Sequence, residues 1–400
     1  MDAAYSPLTG PPVDTSDRPP AAYHDLGTVA VASPVDGALL PRSRVVLEST
    51  CTQRANGGYH VSVLTTTDID VLIADTETEM AQVIAAAEDA RTTELYDWVR
   101  YHLGLDRDAS RGKRLRPLLG LLAYQSIAGE HQRALPGAAA VEMGHNFSLV
   151  HDDIQDVSVE RRHRPALWTM TGVPQAINTG DTLFTLSRMA LHRLSGLGFS
   201  AQKVLDLMRL YDETCLALCE GQFLDIRASE SQDWMSVEYY LDMIGRKTAA
   251  LIAGSVQAGA MLATDDTAII EAYRSFGWAL GMAFQINDDL LGIWGDEQST
   301  GKQSSDIEAR KQTLPLLHAL EHAVAAARAR LQAILHGQPP TAEDVSTVRA
   351  ILERTGSRQF TRGRAAYHRE EAVRRLAESG VVDGEAMERL QRIVGSVIAA

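Results

Sequence analysis

From Thr67 onward, apolar residues recur at the three- and four-residue spacing of a helix that buries one face, in Ala- and Leu-rich stretches parted by short Gly, Pro or Ser breaks. The spacing predicts about ten helices, over 68–103, 112–129, 134–155, 173–195, 200–227, 236–263, 266–293, 312–336, 341–355 and 357–399, the last broken near Gly380. Almost no alternating strand pattern survives there, and no repeat of 20 to 50 residues is visible. The expected fold class is all-α, a single large helical bundle over residues 67–400.

Residues 1–66 differ. They are rich in Pro, Gly, Ser and Thr ("SPLTGPPVDTSDRPP", "RANGGYH"), keep no period, and are expected to form a poorly ordered N-terminal tail. The segments "VVLES" and "YHVSVL" could make short strands, but two isolated strands are marginal in water. The first basic residue is Arg18, so no signal peptide is expected. The stretch "TAALIAGSVQAGAMLA" (248–263) is shorter than the about 18 to 20 residues of a membrane span and is interrupted by Ser and Gln. It reads as a buried helix, and no integral membrane segment is expected.

A chain of 400 residues can bury a sizeable core. Its formal net charge of −14 argues against nucleic acid or anionic lipid as a partner, because either calls for a basic face. Any anionic ligand must then be held by a local device. Cys215 and Cys219, four residues apart, lack the partners of a zinc site or disulfide framework and read as core residues in a reducing, cytoplasmic compartment.

Two acidic groups end long apolar helices. In "SLVHDDIQD", Asp152, Asp153 and Asp156 fall at about 0°, 100° and 40° around the axis if the helix continues one turn, so the three carboxylates share a side. Alone, this group reads equally well as a solvated helix end. A second group, Asp288 and Asp289 in "FQINDDLLGIWGD", shifts the balance towards hard-oxygen ligands for Mg²⁺, with Gln285 on the same face. Basic residues crowd "RGKRLRP" (111–117), where a helix would put Lys113 and Arg116 on one face, and "ERRHRP" follows the first acidic group. Each basic run alone is a solvated face; beside two acidic groups they suit a polyanion, Arg by its planar fork and Lys as a point charge.

In order, "GKRLRP", "SLVHDDIQD", "RRHRP", "GDTLF", "EGQFLDI", "GRKTAALI", "FQINDDLLG", "TGK" and "SDIEARKQTLP" resemble the trans-isoprenyl diphosphate synthases, the polyprenyl synthetase family. The resemblance implies an isoprenoid synthase-like bundle around a central cavity, commonly a homodimer, joining isopentenyl diphosphate to allylic diphosphates head to tail. It implies that Asp152, Asp153, Asp156, Asp288 and Asp289 hold Mg²⁺ on the allylic diphosphate, with about three ions per site. Arg161 resembles the arginine on that substrate, and Lys113, Arg116, His145 and Arg162 the isopentenyl diphosphate site. Lys247, Thr248, Gln222, Gln285 and Lys302 resemble residues lining the reacting centre or clamping diphosphate, with Glu220 and Asp225 beside them. Without the motif series, His145 and Gln222 would read as core residues.

The chain departs from the family pattern in places. Gly292 stands where the fullest second motif has Asp, with Asp296 a turn further on; Gln303 and Arg310 replace the usual Pro and Gly. A terpene cyclase shares the ionisation chemistry but needs no second substrate, and a silent partner subunit should have lost an acidic group. For chain length, Ser148 lies about 6 Å below Asp152 and faces the cavity, whereas Phe147, about 7.5 Å below, is on a more distant face. An aromatic five places before the motif and a small residue at four resemble synthases that stop at geranylgeranyl diphosphate, with farnesyl diphosphate as the alternative product.

Overall fold

A computed structural model describes residues 66–106, 112–231, 233–295, 305–381 and 384–397. Residues 1–65 of the expected tail, Asp296, Lys302 and Gln303 lie outside the described residues. In chain order the elements are α1 (Thr66–Ala87), α2 (Thr93–Leu103), α3 (Leu115–Ala128), α4 (Leu135–Gln155), β1 (Glu160–Arg161), β2 (Arg164–Pro165), α5 (Leu167–Thr171), α6 (Val173–His192) and α7 (Ala201–Glu230). They continue with α8 (Val237–Ile244), a π-turn (Gly245–Ala249), α9 (Ala250–Ala263), α10 (Thr267–Trp294), α11 (Ser305–Glu308), α12 (Leu314–His322), α13 (Ala325–His336), α14 (Ala342–Arg354), α15 (Ser357–Glu378) and α16 (Glu385–Val397). The all-α expectation holds, and the strands form one antiparallel pair with Glu160 opposite Pro165.

Three expected helices are in fact interrupted. The span 68–103 breaks after Ala87, where the Asp89 carboxylate accepts the Arg91 N–H and the Asp89 carbonyl accepts the Thr92 N–H, a local turn that competes with the helix ladder. The span 236–263 carries the π-turn, and 312–336 divides between His322 and Ala325. The break near Gly380 is present, with Gly380 at φ 64°. Elsewhere the starts carry caps: Ser200 accepts from Lys203 N, Ser236 from Tyr239 N, and Asp266 from two N–H groups of α10.

α10 is the central helix. Along one part of its length Tyr273, Phe276, Leu280 and Ala283 join a core shared with α3, α4, α6, α7 and α9. Further on, Met282, Ile286 and Ile293 join a second core with α8 and α12 to α14. α3 packs on α9, α4 on α6, and α10 on both α9 and α15. Among the described residues no helix is long and apolar enough to cross a membrane. Cys215 is buried as expected, but Cys219 is exposed, because α7 turns it away from the core; both are free thiols.

Candidate active site

The C-terminal ends of α4 and α10 and the start of α3 carry the residues expected to do the chemistry. On α4, Asp152 is half-buried, and burial with the nearby Asp156 and Asp153 raises its carboxyl to about 6 against the pull of Lys247. Asp153 is buried and accepts three close contacts from the Arg161 guanidinium, at 2.6–2.9 Å. Asp156 caps the helix, its N–H donating to the Asp152 carbonyl, and its side chain is exposed. The expected one-turn continuation is therefore present, but Asp153 turns to protein while Asp152 and Asp156 stay open.

α10 repeats the division. Asp288 is open to solvent at its tip, yet burial around it and the charge of Asp306 raise its carboxyl, opposed by Lys311 and Lys113. Asp289 is buried and accepts from Tyr240 Oη at 2.6 Å, Leu314 N at 3.1 Å and Gln285 Nε2 at 3.4 Å. Burial carries it to about 7 despite those bonds. Thr248 donates to Gln285 Oε1 at 2.9 Å, so Thr248, Gln285 and Asp289 form one chain of hydrogen bonds. At Gly292 an added Cβ would overlap the Asp306 carboxylate, so Asp306 of α11 fills the space where the family pattern places an aspartate side chain.

Lys247 lies on the π-turn, whose extra residue widens the helix and re-aims the side chain to donate to Asp225 Oδ2. Gly221 of α7 makes this possible, since any Cβ there would overlap the backbone of Lys247. Gln222 donates to Gln155 Oε1 at 2.8 Å, and its own carbonyl oxygen is buried without a partner. Glu220 is instead held on the outside by Arg246.

The basic residues form a recess beside these ends. Lys113 and Arg116 do not share a helix: Arg114 has φ 49° and α3 starts only at Leu115, so Lys113 projects from the loop, exposed. Arg114 is buried and neutralised by Glu142 at 2.7 Å and Glu77 at 3.1 Å. Arg116 donates to His145 Nε2 at 3.1 Å; as an acceptor that nitrogen is unprotonated, which leaves the proton of the neutral ring on Nδ1. Burial, then Arg116 and Arg162, hold His145 well below the usual imidazole range. Arg162 is brought in by the β1–β2 hairpin, where Arg162 and His163 both take positive φ, the backbone of a two-residue turn matched to strand twist. It reaches the His102 carbonyl and Asn146 Oδ1, each at 3.2 Å.

Arg116 Nε, His145 Nδ1 and His102 Nε2 are buried with no hydrogen-bond partner. Clustered guanidinia and donors left without a partner are what an anion would satisfy. His102, Asn146 and Glu142 were not singled out in the sequence. Glu142 is three residues before His145, which could have suggested it, whereas His102 shows only as one buried position of α2.

The oxygen donors fit Mg²⁺. Asp152 and Asp288 are raised carboxylates that a hard cation would relieve, and among the described residues no three acidic, His or Cys side chains converge on one point. An ion with few protein ligands keeps waters and shares substrate phosphates, as Mg²⁺ does.

A helical bundle with open carboxylates on two helix ends and a desolvated cationic recess beside them defines an enzyme class that handles diphosphates with a metal. The polyprenyl synthetase family pattern matches residues 95–353, and the chain belongs to that family of prenyltransferases. It is 36% identical over 301 residues to a (2E,6E)-farnesyl diphosphate synthase of Mycobacterium tuberculosis, covering 72% of this chain and 82% of that one. A geranylgeranyl diphosphate synthase of the same organism is 38% identical over 294 residues, covering 71% and 82%. The crystal structure of geranylgeranyl pyrophosphate synthetase from Pyrococcus horikoshii superposes with a TM-score of 0.76 at 29% identity, covering 84% of this chain and 98% of that one. Polyprenyl synthetases are Mg²⁺-dependent, and their substrates are isoprenoid diphosphates.

Proposed function

We propose that the chain condenses isopentenyl diphosphate with allylic diphosphates head to tail and releases geranylgeranyl diphosphate as its main product. The observation that carries this reading is the separate cationic recess, in which Arg116, His145 and His102 keep buried atoms without partners, beside two acidic helix ends. A terpene cyclase has no second substrate and no need of that recess. A silent subunit has no need of both acidic pairs.

Asp152, Asp156 and Asp288 are the residues that would hold Mg²⁺, as about three ions per site with Asp153 and Asp289 fixing the ends behind them. When bound, the metal supplies charge stabilisation for the departing diphosphate. Lys247, Arg161 and, by resemblance, Lys302 add fixed positive charge on the same group. The C–O bond of the allylic diphosphate breaks, and its electron pair leaves with diphosphate. The double bond of isopentenyl diphosphate, held by Lys113, Arg116, Arg162 and His145, attacks the allylic cation to form the new C–C bond. A proton then leaves to the released diphosphate, restoring a trans double bond.

Chain length follows from what lies under Asp152. Ser148 is small, and Phe147 packs edge-on against Phe184 of α6 with ring centres 5.0 Å apart, which supports a product of C20 over C15. A homodimer is part of the proposal: Ile177, Met189, Leu205, Leu216 and Phe223 leave apolar surface exposed along α6 and α7. The test is incubation with Mg²⁺ and a C15 allylic diphosphate, with and without isopentenyl diphosphate, followed by mass spectrometry. Elongation to C20 only when both are present is the expected result; a hydrocarbon made from the allylic substrate alone would favour a cyclase. Arg116→Ala should raise KM for isopentenyl diphosphate far more than for the allylic substrate, and an equal rise would reverse the two site assignments.

A further inference from the structure

Below Ser148 the stripe of α4 that faces the site continues through Gly144, Val141 and Gly137, about 12, 16 and 22 Å under Asp152. At Gly144 the path is blocked. An added Cβ there would overlap the Tyr211 hydroxyl, so Tyr211 of α7 lies directly across the stripe, against the backbone of α4. It is 6% exposed, its hydroxyl shares a hydrogen bond with Ser187 Oγ of α6, and its ring stacks on Phe184, which in turn meets Phe147. Three helices thus contribute to one aromatic layer, and Tyr211 is its lowest member on the site side.

The bundle is not solid beneath that layer. A narrow cavity of about 20 Å³, walled by Tyr211 itself, lies between Val141 and Gly137 of α4, Leu207 and Thr214 of α7, and Gly254 and Ala258 of α9. A second, of about 10 Å³, shares Gly137, Val141, Ser255 and Ala258 and extends to Gly120 and Gly259. The walls are apolar or small throughout, the surroundings a hydrocarbon tail prefers.

We propose that Tyr211 is the floor of the product cavity and limits chain length from α7, with Phe147 and Phe184 as the wall that keeps it in place. The proposal rests on the prenyl-elongation reading above and names the residue that specifies its product. Removing the ring frees its own volume at Gly144, about 12 Å under Asp152, and opens it onto the small voids that continue down the stripe towards Gly137, about 22 Å under Asp152. The added tail then lies between α4, α7 and α9, with Ala258 facing its end.

The experiment uses the full chain with Mg²⁺, a C15 allylic diphosphate and isopentenyl diphosphate, and reads products by mass spectrometry. Tyr211→Ala should lengthen the main product by at least one five-carbon unit, and Ala258→Phe added to it should return the original length. Phe147→Ala should lengthen the product less than Tyr211→Ala does. An unchanged product from a Tyr211→Ala protein with intact helical circular dichroism overturns the proposal, as does a long product that Ala258→Phe fails to shorten. If Tyr211→Ala does not fold, Tyr211→Leu, which keeps apolar bulk but cannot reach Gly144, is judged by the same outcomes. Wild-type protein that consumes no isopentenyl diphosphate would instead refute the elongation reading itself, a result distinguishable from either.

Discussion

The ends of α4 and α10 carry the same pair of letters, Asp-Asp, and divide the labour in the same way by different means. The first aspartate of each pair, Asp152 or Asp288, opens towards the site with its carboxyl raised by burial. The second is buried and bonded to protein. Asp153 is matched by a charge, the Arg161 guanidinium, and Asp289 by neutral donors from Tyr240, Leu314 and Gln285. An acidic motif is therefore not a cluster of equivalent carboxylates: successive residues on a helix end point about 100° apart, and burial decides which of them needs a partner.

The largest expected effects test that division at the open positions. Asp152→Ala and Asp288→Ala should each lower kcat by orders of magnitude with little change in helical circular dichroism, and excess EDTA should abolish turnover. Full activity in EDTA would remove the metal from the mechanism, and loss of fold in both variants would make these residues structural.

The second members should separate in stability. Asp153→Asn discards the charge facing a partly buried guanidinium and should cost roughly 1.5–3 kcal/mol in urea unfolding. Asp289→Asn keeps an oxygen to accept from Tyr240 and Leu314 and should cost only about 0.5–1.5 kcal/mol. The reverse order would break the distinction between a charged and a neutral anchor.

At α10 the crowding of Gly292 offers a sharper probe. Gly292→Asp must displace the Asp306 carboxylate and should destabilise by about 1–3 kcal/mol, while adding Asp306→Gly should recover most of that loss. Simple additivity of the two changes in a double-mutant cycle would show that Asp306 does not fill that space.

A pH-dependent effect belongs to the basic cluster beside α4, which has no counterpart at α10. Burial and Arg162 hold His102 at about 3, against 6.5 for a free imidazole. The unfolded chain therefore takes up a proton that the native state does not, and stability should fall as pH drops from 6.5 towards 3, by up to about 1.4 kcal/mol per unit. His102→Asn should flatten that slope in melts at pH 7 and 5; an unchanged slope would mean His102 titrates alike in both states.

The order of helices, the all-α class and the two acidic ends were legible because they depend on local facts: a repeat near 3.6 residues and charged letters directly after apolar runs. The residues proposed for the metal and for isopentenyl diphosphate were read from motif order. Other features depended on contacts between distant segments. Arg114 turns out of the helix because Glu77 and Glu142, 37 and 28 residues away, take its guanidinium, and Lys113 leaves the helical face with it. The π-turn that aims Lys247 needs a glycine on another helix, Gly221. Spacing alone could not tell Asp152 from Asp153 or Asp288 from Asp289, because the difference is the partner each finds. Tyr211 carried no signal in its own stretch, where it reads as one more buried position of α7. Only the packing of α7 onto a glycine of α4 makes it a barrier, since local sequence fixes the periodicity of a helix but not which residue of a neighbouring helix fills the gap left by a missing side chain.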